Sequence, residues 1–193
     1  MPINPIPKRV IAAYLSAEDA RFYEPGGIDF QGLARVVVKF AMAKIQGESR
    51  RMQGASTITQ QVAKNFLLTN ERSIDRKIKE AILAIRIERA YSKDKILELY
   101  LNEIYLGIGA YGVAAASLSY YNKELRDLTI AEAAYLAALP KAPSNYHPFR
   151  KTEQAIVRRN WIIQRTEING YIWLLFTSPS PRARTRTRMP ASA

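Results

Sequence analysis

The amino-acid sequence predicts a mainly α-helical domain. Apolar residues recur at the three- and four-residue spacing of helices in almost every segment, and the alternation typical of strands is nearly absent. Capping residues, prolines and glycines separate these segments. The chain has 193 residues, which fits one domain because roughly 100–200 residues form one. We place this domain at residues 1–176. We expect residues 177–193, which contain four arginines, to be a disordered tail.

Proline, glycine and capping residues set the bounds of the first three predicted helices. The first helix covers residues 8–23 and ends there because Pro25 and the two glycines after it cannot continue a helix. Asp29 can cap a second helix over about residues 30–46. A polar, basic loop then leads to a third helix over about residues 56–67.

Capping residues and turns also bound the remaining predicted helices. No segment of the sequence repeats at an interval typical of repeat proteins. The fourth helix begins after Ser73, and the fifth begins after Ser92 and closes at Gly107. The sixth covers 113–121, and the seventh extends from a Thr129–Glu132 capping box to Pro140. The last covers 152–165, after a loop over 141–148.

The composition excludes several kinds of catalytic and metal site. The chain has no cysteine, which excludes disulfide scaffolds, thiolate metal sites and a cysteine nucleophile. Its single histidine, His147, excludes a multi-histidine metal site and leaves little basis for a Ser-His-Asp triad.

Basic residues outnumber acidic ones, 29 to 17, and the formal net charge is +12 at pH 7. This charge favours an anionic partner: nucleic acid, an acidic membrane surface or a phosphorylated substrate. A nucleic-acid module is the weaker alternative, because base-reading and stacking motifs are missing. We expect neither a membrane span nor a signal peptide in this sequence.

Two adjacent carboxylates, Glu18 and Asp19, lie on the first predicted helix. At helical spacing Glu18 falls among apolar residues such as Tyr14 and Phe22, so burial should raise its pKa toward that of a useful general base. Asp19 lies about 100° further round the helix, where it can orient a neighbour or bind a metal. The alternative from spacing alone is a structural Glu18 paired with a basic side chain such as Arg21.

A glycine turn leads into the third predicted helix. Free backbone N–H groups and the helix dipole at such an N-terminus favour an anion such as phosphate. Thr57, Gln60, Gln61 and Lys64 share one polar face, which suits a pyrophosphate or a sugar. An ordinary capped surface helix would explain Ser56 but not the adjacent glutamines with the lysine.

The fourth predicted helix opens with basic residues around a carboxylate. Lys77 and Glu80 lie three residues apart on one face, and Arg76 lies four residues before Glu80. Spacing alone favours an ion pair along the helix, worth about 0.2–0.5 kcal/mol. The alternative is a second carboxylate held among cations beside a phosphate site.

These clusters, in this order, resemble the peptidoglycan glycosyltransferases of family 51, found in class A penicillin-binding proteins and in monofunctional cell-wall transglycosylases. The resemblance extends over about residues 7–172 and departs from the family's first motif at Pro25, where the family has a histidine. The matching segments are EDARFY at 18–23, GASTITQQ at 54–61, RKIKE at 76–80, ILELYLN at 96–102 and LPKAPS at 139–144.

The resemblance implies a lysozyme-like, mainly α fold with a large lobe and a small membrane-facing lobe. It implies that the enzyme polymerises lipid II into β-1,4-linked glycan strands, with inversion, and releases undecaprenyl pyrophosphate. Glu18 would be the general base, and Glu80 would assist the leaving group or organise the cations. Lys64, Arg72 and Lys77 would neutralise the pyrophosphate. The substrate-binding residues implied are Asp19, Phe22, Ser56, Thr57, Gln60, Gln61, Lys64, Asn65, Arg72, Arg76 and Lys77.

The same resemblance implies the partners and the location. The partners would be lipid II, the lipid-linked glycan chain, the surface of the bacterial inner membrane on its extracytoplasmic side and other cell-wall synthesis proteins, but no nucleic acid. No cofactor would be obligatory. Magnesium or manganese is an optional divalent cation, and Asp19 is its candidate ligand.

Two further expectations concern the extent of the chain and the competing enzyme class. Family members normally carry a membrane anchor, and class A members also carry a transpeptidase domain, so we expect this chain to be truncated relative to a longer, bifunctional protein. A lytic, lysozyme-like hydrolase would also use a glutamate. Its substrate, finished glycan, lacks the pyrophosphate that the predicted cations fit.

Overall fold

The computed structural model describes residues 1–24, 56–67, 74–146 and 151–171. These residues form seven α-helices and three short 3-10 turns, so the predicted mainly α class is confirmed for them and is consistent with a lysozyme-like fold. The helices are α1 (Lys8–Glu18), α2 (Ile58–Phe66), α3 (Ile74–Ala90), α4 (Lys93–Glu103), α5 (Val113–Tyr121), α6 (Ile130–Leu136) and α7 (Thr152–Ile168). The 3-10 turns are Leu125–Asp127, Leu139–Lys141 and Pro143–Tyr146. In this part of the chain no helix is both long and apolar enough to cross a membrane.

Three predicted helix starts are confirmed by their caps. The Thr57 side chain accepts a hydrogen bond from the backbone of Gln60, whose own side chain returns to the Thr57 N–H, which makes a capping box. Thr129 and Glu132 form the second box. Ser92 caps α4 with its hydroxyl. Local sequence therefore fixes where α2, α4 and α6 begin.

The first helix is shorter than the predicted range of 8–23. It ends at Glu18, because Asp19 adopts an extended backbone conformation and its carboxylate accepts a hydrogen bond from the Ile58 N–H. The chain then turns, and Phe22 enters the core, where it is fully buried. A contact to the distant helix α2 thus overrides the local helical pattern.

Two other helix ends also differ from the prediction. α4 ends at Glu103 instead of at Gly107, because Ile104 becomes extended and its carbonyl accepts a hydrogen bond from Gly112. α7 continues to Ile168, beyond the predicted end at 165. The predicted helix over 30–46, its cap Asp29, the adjoining Pro25 loop, His147 and the tail over 177–193 lie outside the described residues.

The core lies between two groups of helices. α1 packs against α6 and α7, while α2 packs against α3 and α4. Tyr14 of α1 and Tyr100 of α4 connect the two groups through an edge-to-face ring contact with centroids 6.2 Å apart. The largest fully buried side chains are Tyr14, Leu15, Phe22, Ile58, Ile96, Leu97, Tyr100, Leu101, Leu106, Leu128, Leu136 and Leu139.

Glycines close the turn between α4 and α5. Gly109 has φ +75° and Gly112 has φ +79°, in the left-handed region that favours glycine. A Cβ atom at Gly112 would lie 2.4 Å from the backbone oxygen of Asn102, whereas one at Gly109 would have no neighbour within 4 Å. The two positions therefore share a conformational requirement but differ in available space.

We predict that Gly112→Ala destabilises the protein more than Gly109→Ala. Each substitution costs about 1–2 kcal/mol for the left-handed conformation. Gly112→Ala adds about 1–3 kcal/mol, because the new methyl group meets backbone that cannot move aside easily. Urea denaturation of the two variants measures the difference. Equal losses would contradict the close approach of Gly112 to α4.

Candidate active site

A cavity of about 710 Å³ opens beside the end of α1, the start of α2 and one face of α7. Four of its lining side chains are cationic and three are carboxylates. The cavity can therefore bind an anion and also accept a proton from a bound group. The lining residues are Ser16, Ala17, Glu18, Asp19, Ala20, Ser56, Gln60, Gln61, Lys64, Glu80, Pro140, Lys141, Arg158, Trp161, Arg165 and Asn169.

Glu18, the last residue of α1, presents its carboxylate to this cavity. The Gln61 side-chain amide donates a hydrogen bond of 2.8 Å to Glu18 Oε2. Burial raises the pKa of Glu18, although the Gln61 hydrogen bond and the charges of Arg158 and Lys141 act in the opposite direction. The predicted rise in this pKa is confirmed, and the partner of Glu18 is an amide of α2 instead of Arg21. A carboxylate in this state is suited to accept a proton.

On the core side of Glu18 lie two fully buried tyrosines, Tyr14 and Tyr100. Burial raises the pKa of both phenols, and the negative charge of Glu18 raises both further. Neither hydroxyl has a hydrogen-bond partner in the described part of the structure. The inner side of the Glu18 carboxylate therefore faces neutral, apolar rings.

Asp19 occupies the N-terminus of α2. Its Oδ2 accepts a hydrogen bond of 3.3 Å from the Ile58 N–H, while Thr57 accepts one from Gln60. Burial raises the pKa of Asp19, and the Ile58 hydrogen bond and the charge of Lys93 oppose this rise. The predicted anion site on free N–H groups of this helix is therefore wrong for these two donors, because protein side chains already bind them.

Glu80, on α3, is 3% exposed and also lines the cavity. Its Oε1 lies 3.4 Å from Nε of Arg76, one helical turn earlier. The ion pair favoured from spacing is thus present, but it is buried at the cavity wall instead of solvated on a surface. The ion-pair interpretation of this segment is confirmed, and the adjacent phosphate site of the alternative stays a prediction.

The sequence matches a known protein family over most of its length. The family model described as "Transglycosylase" matches residues 1–167. The chain belongs to the transglycosylase family. It is 52% identical to penicillin-binding protein 1A of Rickettsia felis over 89% of this chain, and 51% identical to penicillin-binding protein 1A of Aquifex aeolicus over 88%. It is 49% identical to penicillin-binding protein 1F of Bacillus subtilis over 88%.

This transglycosylase chain spans about a fifth of the length of those relatives, 22% for the first and 23% for the other two. The crystal structure of penicillin-binding protein 1A from Haemophilus influenzae is 34% identical over 59% of this chain and 14% of that one, with a TM-score of 0.37.

The cavity of the transglycosylase domain brings together most, but not all, of the predicted site residues. Phe22 lies in the core under the Lys93 ammonium, 4.7 Å from its ring centroid, and Thr57 is a helix cap. Asn65 is exposed and does not line the cavity. Arg76 does not line it either but forms an ion pair with Glu80, which does. Arg72 and the side chain of Lys77 lie outside the described residues. The predicted residues that do line the cavity are Glu18, Asp19, Ser56, Gln60, Gln61, Lys64 and Glu80.

Sequence reasoning missed the side of the cavity formed by α7 and by Lys141. Arg158, Trp161 and Arg165 line it from consecutive turns of α7, with Asn169 just beyond the helix end. Their spacing of three and four residues was a usable signal, since it places them on one helical face. Lys141 lies inside the LPKAPS segment that carries the resemblance.

The described carboxylates of this domain do not cluster as a metal site would. Among residues 1–24, 56–67, 74–146 and 151–171, no three His, Asp or Glu side chains are placed to hold one metal ion. Asp19 uses one oxygen to cap α2. A divalent cation at Asp19 stays a prediction.

We predict that Glu18→Gln leaves the transglycosylase domain folded, with equal or higher stability at neutral pH. Because the pKa of Glu18 in the folded protein lies above its ordinary value of 4.5, the native state binds the proton more tightly, and wild-type stability falls as the pH rises through that window. The amide carries no charge to desolvate. The difference between variant and wild type should therefore vanish below the ordinary pKa.

Urea unfolding of both proteins from acidic to neutral pH measures this difference. Glu103→Gln, at the exposed end of α4, is the matched control, because it removes the same charge from a side chain that solvent already reaches. A Glu18→Gln variant that loses stability at neutral pH would contradict the observed desolvation.

Proposed function

We propose that this transglycosylase domain polymerises lipid II into β-1,4-linked glycan strands and releases undecaprenyl pyrophosphate. The observation that carries the proposal is the Glu18 carboxylate, which is half-buried and hydrogen-bonded to Gln61 at 2.8 Å in a cavity that also holds four cationic side chains. Family membership and about 50% identity to penicillin-binding proteins 1A support it. The site combines a base for a sugar hydroxyl with charges for a pyrophosphate.

The bond-forming step uses Glu18 as general base. Its free carboxylate oxygen accepts the proton of the 4-hydroxyl of the acceptor's N-acetylglucosamine, while that oxygen attacks C1 of the donor's N-acetylmuramic acid. The bond from C1 to the pyrophosphate oxygen breaks, and its electron pair leaves with undecaprenyl pyrophosphate. Attack from the opposite side inverts C1 and gives the β-1,4 linkage. The Gln61 amide holds the carboxylate in place during this transfer.

The leaving group requires positive charge in the cavity. Four cationic side chains line it: Lys64 of α2, Lys141, and Arg158 and Arg165 of α7. They can bind the pyrophosphate through charge alone, without forming a covalent bond to it. Charge-assisted contacts to phosphate oxygens are stronger than neutral hydrogen bonds. Such preformed charges favour the state in which negative charge develops on the pyrophosphate. Arg72 and Lys77, predicted from the resemblance, would add to this group.

Glu80 organises cations instead of meeting the acceptor sugar. It is almost fully buried and already lies 3.4 Å from Arg76. A buried carboxylate that pairs with a cation holds that cation in a defined position, at the cost of desolvating both. We assign Glu80 to the electrostatic frame of the leaving-group side.

The proposed substrate also indicates the binding partners of the domain and its location in the cell. Lipid II and the growing glycan are both held by undecaprenyl chains in a bilayer, so the domain works at a membrane surface. Because the product is cell-wall glycan, that surface is the extracytoplasmic face of the bacterial inner membrane. Other cell-wall synthesis proteins are its expected neighbours.

We predict that Glu18→Gln lowers the rate of lipid II polymerisation by about 10²–10⁴-fold, the usual contribution of general-base catalysis. Incubation with lipid II in detergent, followed by separation of glycan chains by length, measures the rate. Glu103→Gln should polymerise at the wild-type rate. Glycan synthesis by Glu18→Gln within a fewfold of wild type would remove Glu18 from the mechanism.

We predict that Lys64→Ala weakens binding of undecaprenyl pyrophosphate by about 10- to 100-fold, because one charge-assisted contact is worth about 1.5–3 kcal/mol. Arg72→Ala and Lys77→Ala should lose similar amounts, and double variants should not lose the sum, since the residues serve one ligand. Calorimetry in detergent measures the affinities. Lys79→Ala, an exposed lysine of α3 outside the cavity lining, is the control. Unchanged affinity in all three variants would place the pyrophosphate elsewhere.

A further inference from the structure

The indole of Trp161 lies between two arginines of the same helix. The Arg158 guanidinium carbon is 4.1 Å from the ring centroid, and that of Arg165 is 5.3 Å away. Arg158 lies three residues before Trp161 and Arg165 four residues after it, so both neighbour the ring on one face of α7. All three side chains line the cavity that contains Glu18.

The contacts of Arg158 explain why the ring matters. Its Nε is buried and has no hydrogen-bond partner in the part of the chain that the structure describes. The charge of Arg158 nevertheless reaches Glu18 across the cavity, where it opposes the rise that burial causes in the pKa of that carboxyl. The Arg158 guanidinium therefore packs on the ring of Trp161, and its positive charge faces the cavity.

An aromatic ring suits this task better than a carboxylate. A carboxylate would hold a guanidinium but would also neutralise it, and the cavity would lose charge for an anionic substrate. The face of an indole attracts a cation through its quadrupole and leaves the net positive charge in place. The ring also restricts two long side chains whose disorder would otherwise oppose ligand binding.

We propose that Trp161 is a positioning residue for anionic substrate. It holds Arg158 and Arg165 at the cavity wall so that both guanidinium groups face the pyrophosphate without pairing with Glu18 or Glu80. This inference rests on the proposed function and deepens it, since it assigns the α7 side of the cavity to the pyrophosphate. Trp161 acts through the two arginines and does not itself take part in proton transfer.

Charged groups from other helices also face this cavity, and the carboxylates among them attract the two arginines. Glu18 and Asp19 reach the cavity from the end of α1, and Glu80 reaches it from α3. Lys64 approaches from α2, and Lys141 from the Leu139–Lys141 turn. Oriented guanidinium groups on α7 complete a positive rim, whereas loose ones can approach the carboxylates. Trp161 thus keeps cations and base apart within one cavity.

The experiment measures binding of inorganic pyrophosphate, and of undecaprenyl pyrophosphate in detergent, by calorimetry on the full chain. Trp161→Leu should weaken both by about two- to thirtyfold, the range that a cation–π contact supplies. Trp161→Phe keeps a ring with a weaker quadrupole and should recover part of the loss. The loss should shrink as salt is added, because it acts through charge. Val157→Ala, 69% exposed on the same helix and outside the lining, should bind like wild type.

A double variant separates positioning from direct contact. In an Arg158→Gln/Arg165→Gln background, Trp161→Leu should cause no further loss, because the groups through which the ring acts are gone. The proposal is overturned if Trp161→Leu causes an equal loss of pyrophosphate affinity in that background, or an equal loss of affinity for an uncharged N-acetylglucosamine oligosaccharide. Either result would show that the ring stacks on sugar. Wild-type affinity for pyrophosphate in Trp161→Leu would also overturn it. Circular dichroism and thermal unfolding confirm that each variant is folded.

Polymerisation assays keep this inference distinct from the proposed function. With lipid II, Trp161→Leu should raise KM and should lower kcat far less than Glu18→Gln does, since the arginines and the base are both retained. A wild-type chain that binds pyrophosphate through this cluster but makes no glycan would overturn the proposed function alone. A Trp161→Leu variant that makes glycan with unchanged KM would overturn the role of Trp161 alone.

Discussion

Two hydrogen bonds, accepted by adjacent carboxylates, join the end of α1 to the start of α2. Glu18 accepts from the Gln61 side chain at 2.8 Å, and Asp19 accepts from the Ile58 backbone at 3.3 Å. This junction ends α1, caps α2 and places Glu18, Asp19 and Gln61 together in the lining of the cavity. It also places Asp19 at the positive end of a helix dipole, while Glu18 lies at the negative end of another, so the two carboxylates have different electrostatic surroundings.

The cavity holds a carboxylate of raised pKa and four cationic side chains without pairing them directly. Direct pairing of Glu18 with a guanidinium would hold its pKa low and leave it a poor proton acceptor. In the structure an amide occupies that position, and Arg158 and Lys141 act on Glu18 only through their charge. Glu80 has the opposite arrangement, since it is paired and buried. Two glutamates in one cavity therefore have distinct chemistry because their nearest partners differ.

The sequence predicted those features that depend on neighbouring residues. Thr57, Ser92 and Thr129 cap their helices because the required donor lies three residues ahead, and the burial of Glu18 follows from its place among apolar residues. The end of α1 was missed because Ile58, which binds Asp19, is 39 residues away in the chain. The α7 side of the cavity was missed for the same reason. Only tertiary contact shows that the basic face of that helix meets Glu18.

The buried tyrosines behind Glu18 impose a direction on proton movement. Tyr14 and Tyr100 have raised pKa values and no hydrogen-bond partner among the described residues, so within that part of the chain no hydrogen-bonded relay through these phenols leads inward from the carboxylate. A proton that reaches or leaves this carboxylate therefore passes through the cavity that Glu18 lines. A ligand that fills the cavity thus also separates the carboxylate from the solvent.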